Sequence, residues 1–268
     1  MSKIICIHSF RGGTGKSNTT ANVAALLAAK GRRVGVVDTD IQSPGIHVLF
    51  GITGEKITHT LNDYLWKNCE IAQAAHDVTE RLDTEAGGKL YLIPSSIKAG
   101  EITRVLREGY DAQLLTRGIR ELIDVLKLDV LLIDTHPGLG EETLLSIVIS
   151  HVLIIVLRPD QQDYEGTGVT LEVARKLRVP DTLLIVNKIP GSFDSEDVKS
   201  QVEQTYRCPV IAVLPHSDEL MALGSGSIYC LRYPEDVLTD DAAAEADRVL
   251  GDRLAVEELV VGDQRSDA

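Results

Sequence analysis

The chain has 268 residues and a formal net charge of −13, and 44% of its residues are hydrophobic while only 4% are aromatic. This length supports a large buried core and fits one α/β domain better than two. The acidic balance argues against a protein that coats nucleic acid generally. The most apolar stretch, residues 144–157, is interrupted by polar side chains and is shorter than the roughly 20 residues that a membrane span requires.

Four cysteines are scattered along the chain, at Cys6, Cys69, Cys208 and Cys230. They form no C-x-x-C pair and show no metal-ligand spacing, so we interpret them as reduced thiols. The N-terminal residues contain no apolar segment of signal-peptide length. We therefore expect a cytoplasmic protein.

A glycine-rich loop, residues 9–18, lies between a β-branched apolar run at residues 3–8 and an alanine-rich helical stretch. Glycines let backbone N–H groups turn inward as an anion nest, and the helix N-terminus adds its positive dipole end. In such a loop Lys16 reaches the β- and γ-phosphates and the Ser17 hydroxyl ligates Mg²⁺. The context predicts a phosphate-binding loop formed by Gly12, Gly13, Thr14, Gly15, Lys16, Ser17 and Asn18.

The loop has an unusual spacing. The common pattern G-x-x-x-x-G-K-[ST] fails at Phe10, whereas the variant x-K-G-G-x-G-K-[ST] fits with Arg11 in the first lysine position. On this loop the chain resembles the MinD/ParA family of positioning ATPases, whose signature lysine is Arg11 here. The resemblance implies that ATP and Mg²⁺ bind, and that two chains form a homodimer around the nucleotides. It also implies that Arg11 reaches the partner's phosphates; the alternative is that Arg11 pairs with an acid of its own chain.

A second predicted strand, residues 33–38, ends in Asp38-Thr39-Asp40. Ligands of open α/β sheets bind at the carboxyl edge to which this strand delivers the two acids. The resemblance implies that Asp40 orients or activates the attacking water and that Asp38 supports the Mg²⁺ shell.

The apolar strand predicted at residues 130–134 also ends in an acid, Asp134, and Thr135-His136-Pro137-Gly138 follows. By resemblance, Asp134 holds Mg²⁺ through a water molecule and the amide of Gly138 senses the γ-phosphate. We interpret His136 as a polar loop residue rather than a catalytic one. Between the two acidic strand ends, the pattern predicts a helix near residues 60–67, a strand at 89–94 and an amphipathic helix over 111–126.

Two further apolar runs predict strands at residues 182–188 and 210–215. In the family, an asparagine at the first of these strand ends recognises adenine, and Asn187 suits this role because an amide both donates and accepts hydrogen bonds. The second run resembles the family's V-[IL]-P segment, so Pro215 and His216 are expected beside the base. We interpret the polar residues 158–164 as a loop that precedes a helix.

The last predicted helix starts at a Thr239-Asp240-Asp241 cap and continues through Ala242, Ala246, Val249, Leu250 and Leu254. Its apolar stripe predicts docking on the core. We expect one P-loop ATPase domain over residues 1–261 and a disordered acidic tail at 262–268.

The motifs together predict the fold, and their resemblance to the family implies the function. We expect a doubly wound, mainly parallel sheet flanked by helices, of the P-loop type. By resemblance the protein is an ATPase, slow and stimulated by an unidentified partner, that positions or partitions a cellular cargo. The alternatives are a nucleotide-binding regulatory module with little hydrolysis, and an iron-protein-like or metal-insertion ATPase, which needs cysteines that bridge the dimer. A related bacterial tyrosine kinase is disfavoured because no tyrosine cluster ends the chain.

The charges also indicate which surfaces the protein uses. Residues 235–268 carry eleven acidic against three basic side chains, whereas membrane-targeting helices carry Lys and Arg on their polar face. We therefore expect no basic membrane-targeting helix and no transmembrane segment. Basic clusters are interpreted as solvated helix faces, with a DNA-binding patch across a dimer as the alternative; they are Arg104/Arg107, Arg117/Arg120 and Arg175/Lys176/Arg178.

Overall fold

A single eight-stranded sheet runs through the computed structural model, which describes residues 2–82 and 87–250. The strands are β1 (Lys3–His8), β2 (Arg33–Asp38), β3 (His76–Asp77), β4 (Lys89–Ile93), β5 (Val130–Asp134), β6 (Val152–Leu157), β7 (Asp181–Ile189) and β8 (Val210–Pro215). Their spatial order is β3-β4-β2-β5-β1-β6-β7-β8, and of these pairs β3–β4 is antiparallel while the others are parallel. The predicted doubly wound, mainly parallel sheet is confirmed.

Helices cover both faces of this sheet. They are α1 (Lys16–Ala29), α2 (Ile46–Leu49), α3 (Leu61–Leu65), α4 (Ala99–Glu108), α5 (Ala112–Leu126), α6 (Glu141–Ile149), α7 (Gln161–Lys176), α8 (Ser195–Tyr206), α9 (Asp218–Leu223), α10 (Tyr229–Arg232) and α11 (Val237–Leu250). Alternate side chains of a strand point to opposite faces. Ile5 and Ile7 of β1 accordingly belong to the same buried cluster as residues of α1, whereas Cys6 belongs to a cluster on the other face that includes residues of α6, α7 and α8.

Sheet order determines which strand ends meet. Because β1 lies between β5 and β6, and β5 between β1 and β2, three loops leave the carboxyl edge side by side. The register places Asp134 of β5 opposite Ile7 of β1 on one side and opposite Asp38 of β2 on the other. The glycine-rich loop and both acidic strand ends therefore converge on one site.

Two predicted helix starts are wrong. Helix α7 begins at Gln161, inside the predicted loop, because the Asp160 side chain caps it by accepting the Asp163 N–H at 3.0 Å. Helix α11 begins at Val237, before the predicted cap, and Asp236 accepts the Leu238 N–H in its first turn. Ala242 and Ala246 are buried as predicted. Leu254 and the predicted tail lie outside the described residues, and the domain boundary stays a prediction.

Candidate nucleotide-binding site

The glycine-rich loop is shaped to surround an anion. Gly13 and Gly15 have φ values of +80° and +101°, which favour glycine, and Gly15, the N-cap residue of α1, has no side chain that could cap the helix. A Cβ at Gly15 would lie 2.3 Å from Nδ2 of Asn187, so a larger residue does not fit. Uncapped N–H groups at a helix start form a ready anion site. The loop lines a cavity of about 330 Å³ together with Ser9, Asp40, Ser43, Pro137 and Lys188.

Lys16 and Ser17 both contact Asp134 at the base of this cavity. The Lys16 ammonium donates to Asp134 Oδ1 at 2.7 Å and the Ser17 hydroxyl donates to Oδ2 at 2.7 Å. Thr20 Oγ1, one turn further along α1, donates to Oδ1 at 3.1 Å. Lys16 is only 6% exposed and Asp134 1%. The pair is therefore a buried, multiply hydrogen-bonded ion pair, in which one lysine offsets the charge of the strand-end acid.

Asp38 adds a second buried carboxyl beside Asp134. Burial and the neighbouring charge of Asp134 raise the pKa of Asp38 well above its ordinary value, while Lys16 acts in the opposite direction. The Asp40 N–H donates to Oδ1 of Asp38 at 3.0 Å, but Oδ2 is buried with no hydrogen-bond partner in the described part of the chain. An unsatisfied buried oxygen of this kind calls for a cation or, in its absence, a proton.

The oxygen atoms of Ser17, Asp38 and Asp134 fit the chemistry of Mg²⁺, which takes oxygen ligands, keeps several waters and binds through one or two carboxylates plus substrate phosphates. Within residues 2–82 and 87–250 no group of three or more His, Cys, Asp and Glu side chains could by itself hold a metal ion.

Replacing Asp38 with asparagine is expected to raise the melting temperature at neutral pH. A raised pKa means that the folded state retains a proton that the unfolded state has lost above pH 3.8. The free energy of unfolding therefore falls as pH rises from there through the raised folded pKa, by about 1.4 kcal/mol for each pKa unit. Thermal denaturation across pH should show this fall in the wild type and in the exposed control Asp124→Asn, but not in Asp38→Asn. If the stability of all three proteins changed with pH in the same way, the raised pKa of Asp38 would be contradicted.

Asp40 lies at the rim of the same cavity and contacts a residue that the motif did not single out. Its Oδ1 accepts from the Nδ1 of His136 at 2.7 Å, and from the N–H and hydroxyl of Ser43 at 3.0 and 3.2 Å. The sequence interpretation of His136 as a polar loop residue missed this contact. In the sequence, the only feature that indicates this contact is the histidine that follows Asp134 and Thr135 at the end of β5.

Gly138 lies against the glycine-rich loop. Its φ of +85° favours glycine, and its N–H donates to the Ser9 carbonyl at 3.2 Å. The amide that the resemblance assigns to the γ-phosphate is therefore hydrogen-bonded to protein here.

The Arg11 guanidinium contacts two acidic residues of its own chain. Its Nη1 lies 3.6 Å from Asp160 Oδ1 and 3.7 Å from Asp163 Oδ1, at the start of α7. Asp163 also accepts two hydrogen bonds from the Arg158 guanidinium, at 2.9 and 3.3 Å. This arrangement matches the alternative that the sequence left open, in which Arg11 pairs with acids of its own chain.

Asn187 and Lys188 hold the glycine-rich loop from the end of β7. Asn187 Nδ2 donates to the Thr14 carbonyl at 2.8 Å, and Oδ1 accepts the Lys188 N–H at 2.8 Å. An amide has one more N–H and one more lone pair, so both remain for a ligand. The Lys188 ammonium donates to the Gly13 carbonyl at 2.8 Å, a contact that the sequence reasoning missed. Lys188 thereby adds a second positive charge to the lining of the phosphate cavity.

Pro215 and His216 lie away from the small slot beside Gly15 and Asn187. Both residues are exposed, and neither lines this slot. The apolar side of that slot is formed by Leu214, Leu220 and Tyr229. The structure thus brings Asn187, but neither Pro215 nor His216, to this slot.

A glycine loop at the carboxyl edge of a parallel sheet, with a lysine, a serine and strand-end acids around one cavity, defines a P-loop nucleotide-binding protein. Comparison with known proteins agrees, since residues 2–182 match the AAA domain family. The chain belongs to this family and is a MinD/ParA-type P-loop ATP-binding protein, as its motifs predicted. Among the part of the chain that the structure describes, no helix is long and apolar enough to cross a membrane.

The individual relatives have low sequence identity to this chain but align with most of its length. An uncharacterised ATP-binding protein of Methanocaldococcus jannaschii is 28% identical over 247 residues, which are 92% of this chain and 85% of that protein. An iron–sulfur cluster carrier protein of Rickettsia bellii is 28% identical over 225 residues, which cover 80% of this chain and 61% of the relative. The septum site-determining protein MinD of Pyrococcus horikoshii, solved with Mg-ADP, has the same fold, with a TM-score of 0.78 and 24% identity over 96% of this chain and 99% of that one.

Proposed function

We propose that this protein is an ATP-hydrolysing dimerisation switch that positions or partitions a cellular cargo, with slow hydrolysis that a partner protein stimulates. The observation that carries the proposal is that the phosphate-binding loop and Asp40 line one cavity, with Lys16 and Ser17 both bonded to Asp134 beneath it. Phosphoryl transfer relies on positioning and charge stabilisation of this kind.

Each residue has a role in the proposed reaction. The N–H groups of residues 12–18 surround the phosphates, and Lys16 stabilises charge on the transferring phosphoryl group. Asp40 orients the attacking water, and Asn187 reads the base through its remaining amide groups. Ser17, Asp38 and Asp134 would hold Mg²⁺, which neutralises phosphate charge when bound.

To reach the partner's phosphates in the proposed homodimer, Arg11 must leave its acid contacts within its own chain. Its side chain is 40% exposed, and its two acid contacts are 3.6 and 3.7 Å long. The pair with Asp160, which is 41% exposed, is a surface ion pair and contributes about 0–1 kcal/mol, whereas Asp163 is 3% exposed and is already paired with Arg158. Asp163 stays paired with Arg158 when Arg11 departs. The own-chain contact is therefore weak enough for the partner's phosphates to compete for Arg11.

The basic clusters provide little support for DNA as a partner. Arg104 pairs with Glu108 at 2.9 Å and lies over the Trp66 ring, and Lys176 pairs with Glu172 at 2.7 Å. The two ion pairs each join residues four positions apart on one helix, which is typical of a solvated face. We keep the activating partner as a protein and DNA as the weaker alternative.

The iron-protein alternative requires cysteines that can leave the core. Cys6, Cys208 and Cys230 are buried, and burial raises the pKa of Cys208 to about 11 and that of Cys230 to about 12. Protonated buried thiols are poor cluster ligands. Cys69 is only partly buried, and a single accessible cysteine per chain falls short of the two that such proteins use. This favours the ATPase switch over a cluster-binding role.

Phosphate release and light scattering test the proposal together. We expect slow Mg²⁺-dependent hydrolysis that rises when cell extract is added, and a dimer that forms with ATP and dissociates with ADP. ATP binding without hydrolysis, with and without extract, would instead identify a regulatory nucleotide-binding module. Iron in anaerobically purified protein would favour the cluster-binding alternative.

A further inference from the structure

His136 connects the two loops that carry Asp40 and Gly138. Its Nδ1 lies 2.7 Å from Asp40 Oδ1, although the two residues are 96 positions apart in sequence. The His136 side chain is 26% exposed and that of Asp40 12%. Because an ionised carboxylate only accepts hydrogen bonds, Nδ1 of His136 carries the proton in this contact. A bond this short to an ionised acceptor belongs to the stronger class of protein hydrogen bonds.

The backbone on either side holds His136 in place. Pro137 follows it, and the residue before a proline is restricted to extended conformations. Thr143 Oγ1 donates to the His136 carbonyl at 3.3 Å, and the Gly138 N–H donates to Ser9 at 3.2 Å. The imidazole therefore extends from a backbone anchored both to α6 and to the glycine-rich loop.

The contact engages only one of the two carboxylate oxygens. Oδ1 of Asp40 accepts from His136 Nδ1 and from the N–H and hydroxyl of Ser43. No hydrogen bond reaches Oδ2 from residues 2–82 or 87–250, and Asp40 lines the phosphate cavity. Oδ1 is thus the anchored oxygen, and Oδ2 is the one available to a water molecule.

We propose that His136 is a positioning residue for Asp40, which fixes Oδ1 so that Oδ2 orients the water in ATP hydrolysis. This inference rests on the proposed function, because Asp40 has that role only if the protein hydrolyses ATP. In this role, His136 holds the loop that carries Asp40 at a fixed position relative to the loop that carries Gly138 during the reaction. The histidine is outside the phosphate-binding loop, so nucleotide affinity should depend on it little.

Two substitutions separate the hydrogen bond from simple packing. His136→Leu fills the space but lacks the donor, and His136→Asn places an amide N–H close to the position of Nδ1. We expect His136→Leu to lower kcat about 10- to 100-fold, the range for loss of one hydrogen bond to a charged group. The ATP dissociation constant should stay within about threefold, since only interactions made in the transition state change kcat alone. His136→Asn should recover most of kcat.

A double substitution tests whether Asp40 is the group through which His136 acts. In an Asp40→Ala background, adding His136→Leu should change kcat by less than about twofold, because residues that share one interaction are not additive. His59→Leu, a partly buried histidine in the segment between β2 and β3, is the matched control and should behave as wild type. ATP binding by each variant shows that it is folded.

The outcomes distinguish the two proposals. Wild-type kcat in His136→Leu, equal losses in His136→Leu and His136→Asn, or a multiplicative loss in the double variant would overturn the role of His136 while leaving the proposed function intact. A wild-type protein that binds ATP without hydrolysing it would overturn the proposed function and the positioning role together.

Discussion

Lys16→Ala is expected to abolish measurable ATP binding. The Lys16 ammonium is a buried cation at the base of the phosphate cavity and is 6% exposed. Charge-assisted hydrogen bonds contribute about 1.5–3 kcal/mol each, so the loss of two contacts to phosphate alone raises the dissociation constant about 100-fold or more. The lost long-range attraction of a buried positive charge adds to this. Calorimetric titration with ATP and Mg²⁺ measures the effect directly.

The same substitution is also expected to destabilise the fold. Removing Lys16 leaves Asp134 buried next to Asp38 with only hydroxyl donors from Ser17 and Thr20. Breaking one partner out of a buried ion pair costs about 3–5 kcal/mol. Adding Asp134→Asn should restore much of this stability without restoring ATP binding, which separates the two consequences of the missing charge.

Lys30→Ala provides the matched control. Lys30 follows the last residue of α1, and its exposed ammonium pairs with Asp247. Losing an exposed pair changes stability by about 0–1 kcal/mol, so ATP affinity and melting temperature should stay close to wild type. Unchanged ATP affinity in Lys16→Ala would refute the assignment of the phosphate-binding loop.

Asp40→Ala is expected to accumulate an ATP-bound dimer, because hydrolysis falls to a low residual rate while the groups that bind nucleotide remain. Adding Arg11→Ala should return this protein to a monomer that still holds ATP. The reason is that Arg11 keeps the positive charge and the reach of the family's signature lysine, while its planar guanidinium suits bidentate contact with phosphate. Size-exclusion chromatography with light scattering reads the mass, and nucleotide extraction reads the bound ATP.

Because Arg11 lies beside Asp160 and Asp163, the test must also distinguish a role within its own chain from a role in the dimer. If Arg11 acts only within its own chain, the double variant stays dimeric with ATP, and another residue must link the two subunits. Arg32→Ala removes an exposed arginine from the turn after α1 and should leave the Asp40→Ala dimer intact. Dissociation of that control would indicate that loss of net positive charge, rather than the Arg11 contact, weakens the dimer.

The residues that the structure brings together as the sequence predicted are those whose placement is decided locally. Gly13, Gly15 and Lys16 lie within a few positions of each other, between a strand and a helix, and their spacing alone specifies an anion-binding loop. Asp38 and Asp134 each end an apolar strand, and the carboxyl ends of parallel strands share one edge. Periodicity and the MinD/ParA resemblance were therefore sufficient for the fold class and for the group of residues around the cavity.

Contacts between loops could only be decided by the tertiary structure. Three contacts of the site join residues far apart in the chain. They are the hydrogen bond from His136 to Asp40, the hydrogen bond from Asn187 to the Thr14 carbonyl and the ion pair between Arg11 and Asp163. Their distances depend on the order and register of the strands and on the turn that each loop makes. Which of two adjacent residues faces a slot, Leu214 rather than Pro215, depends in the same way on how β8 ends. Local pattern does not encode these choices, because they are made by the packing of elements that only meet when the sheet has formed.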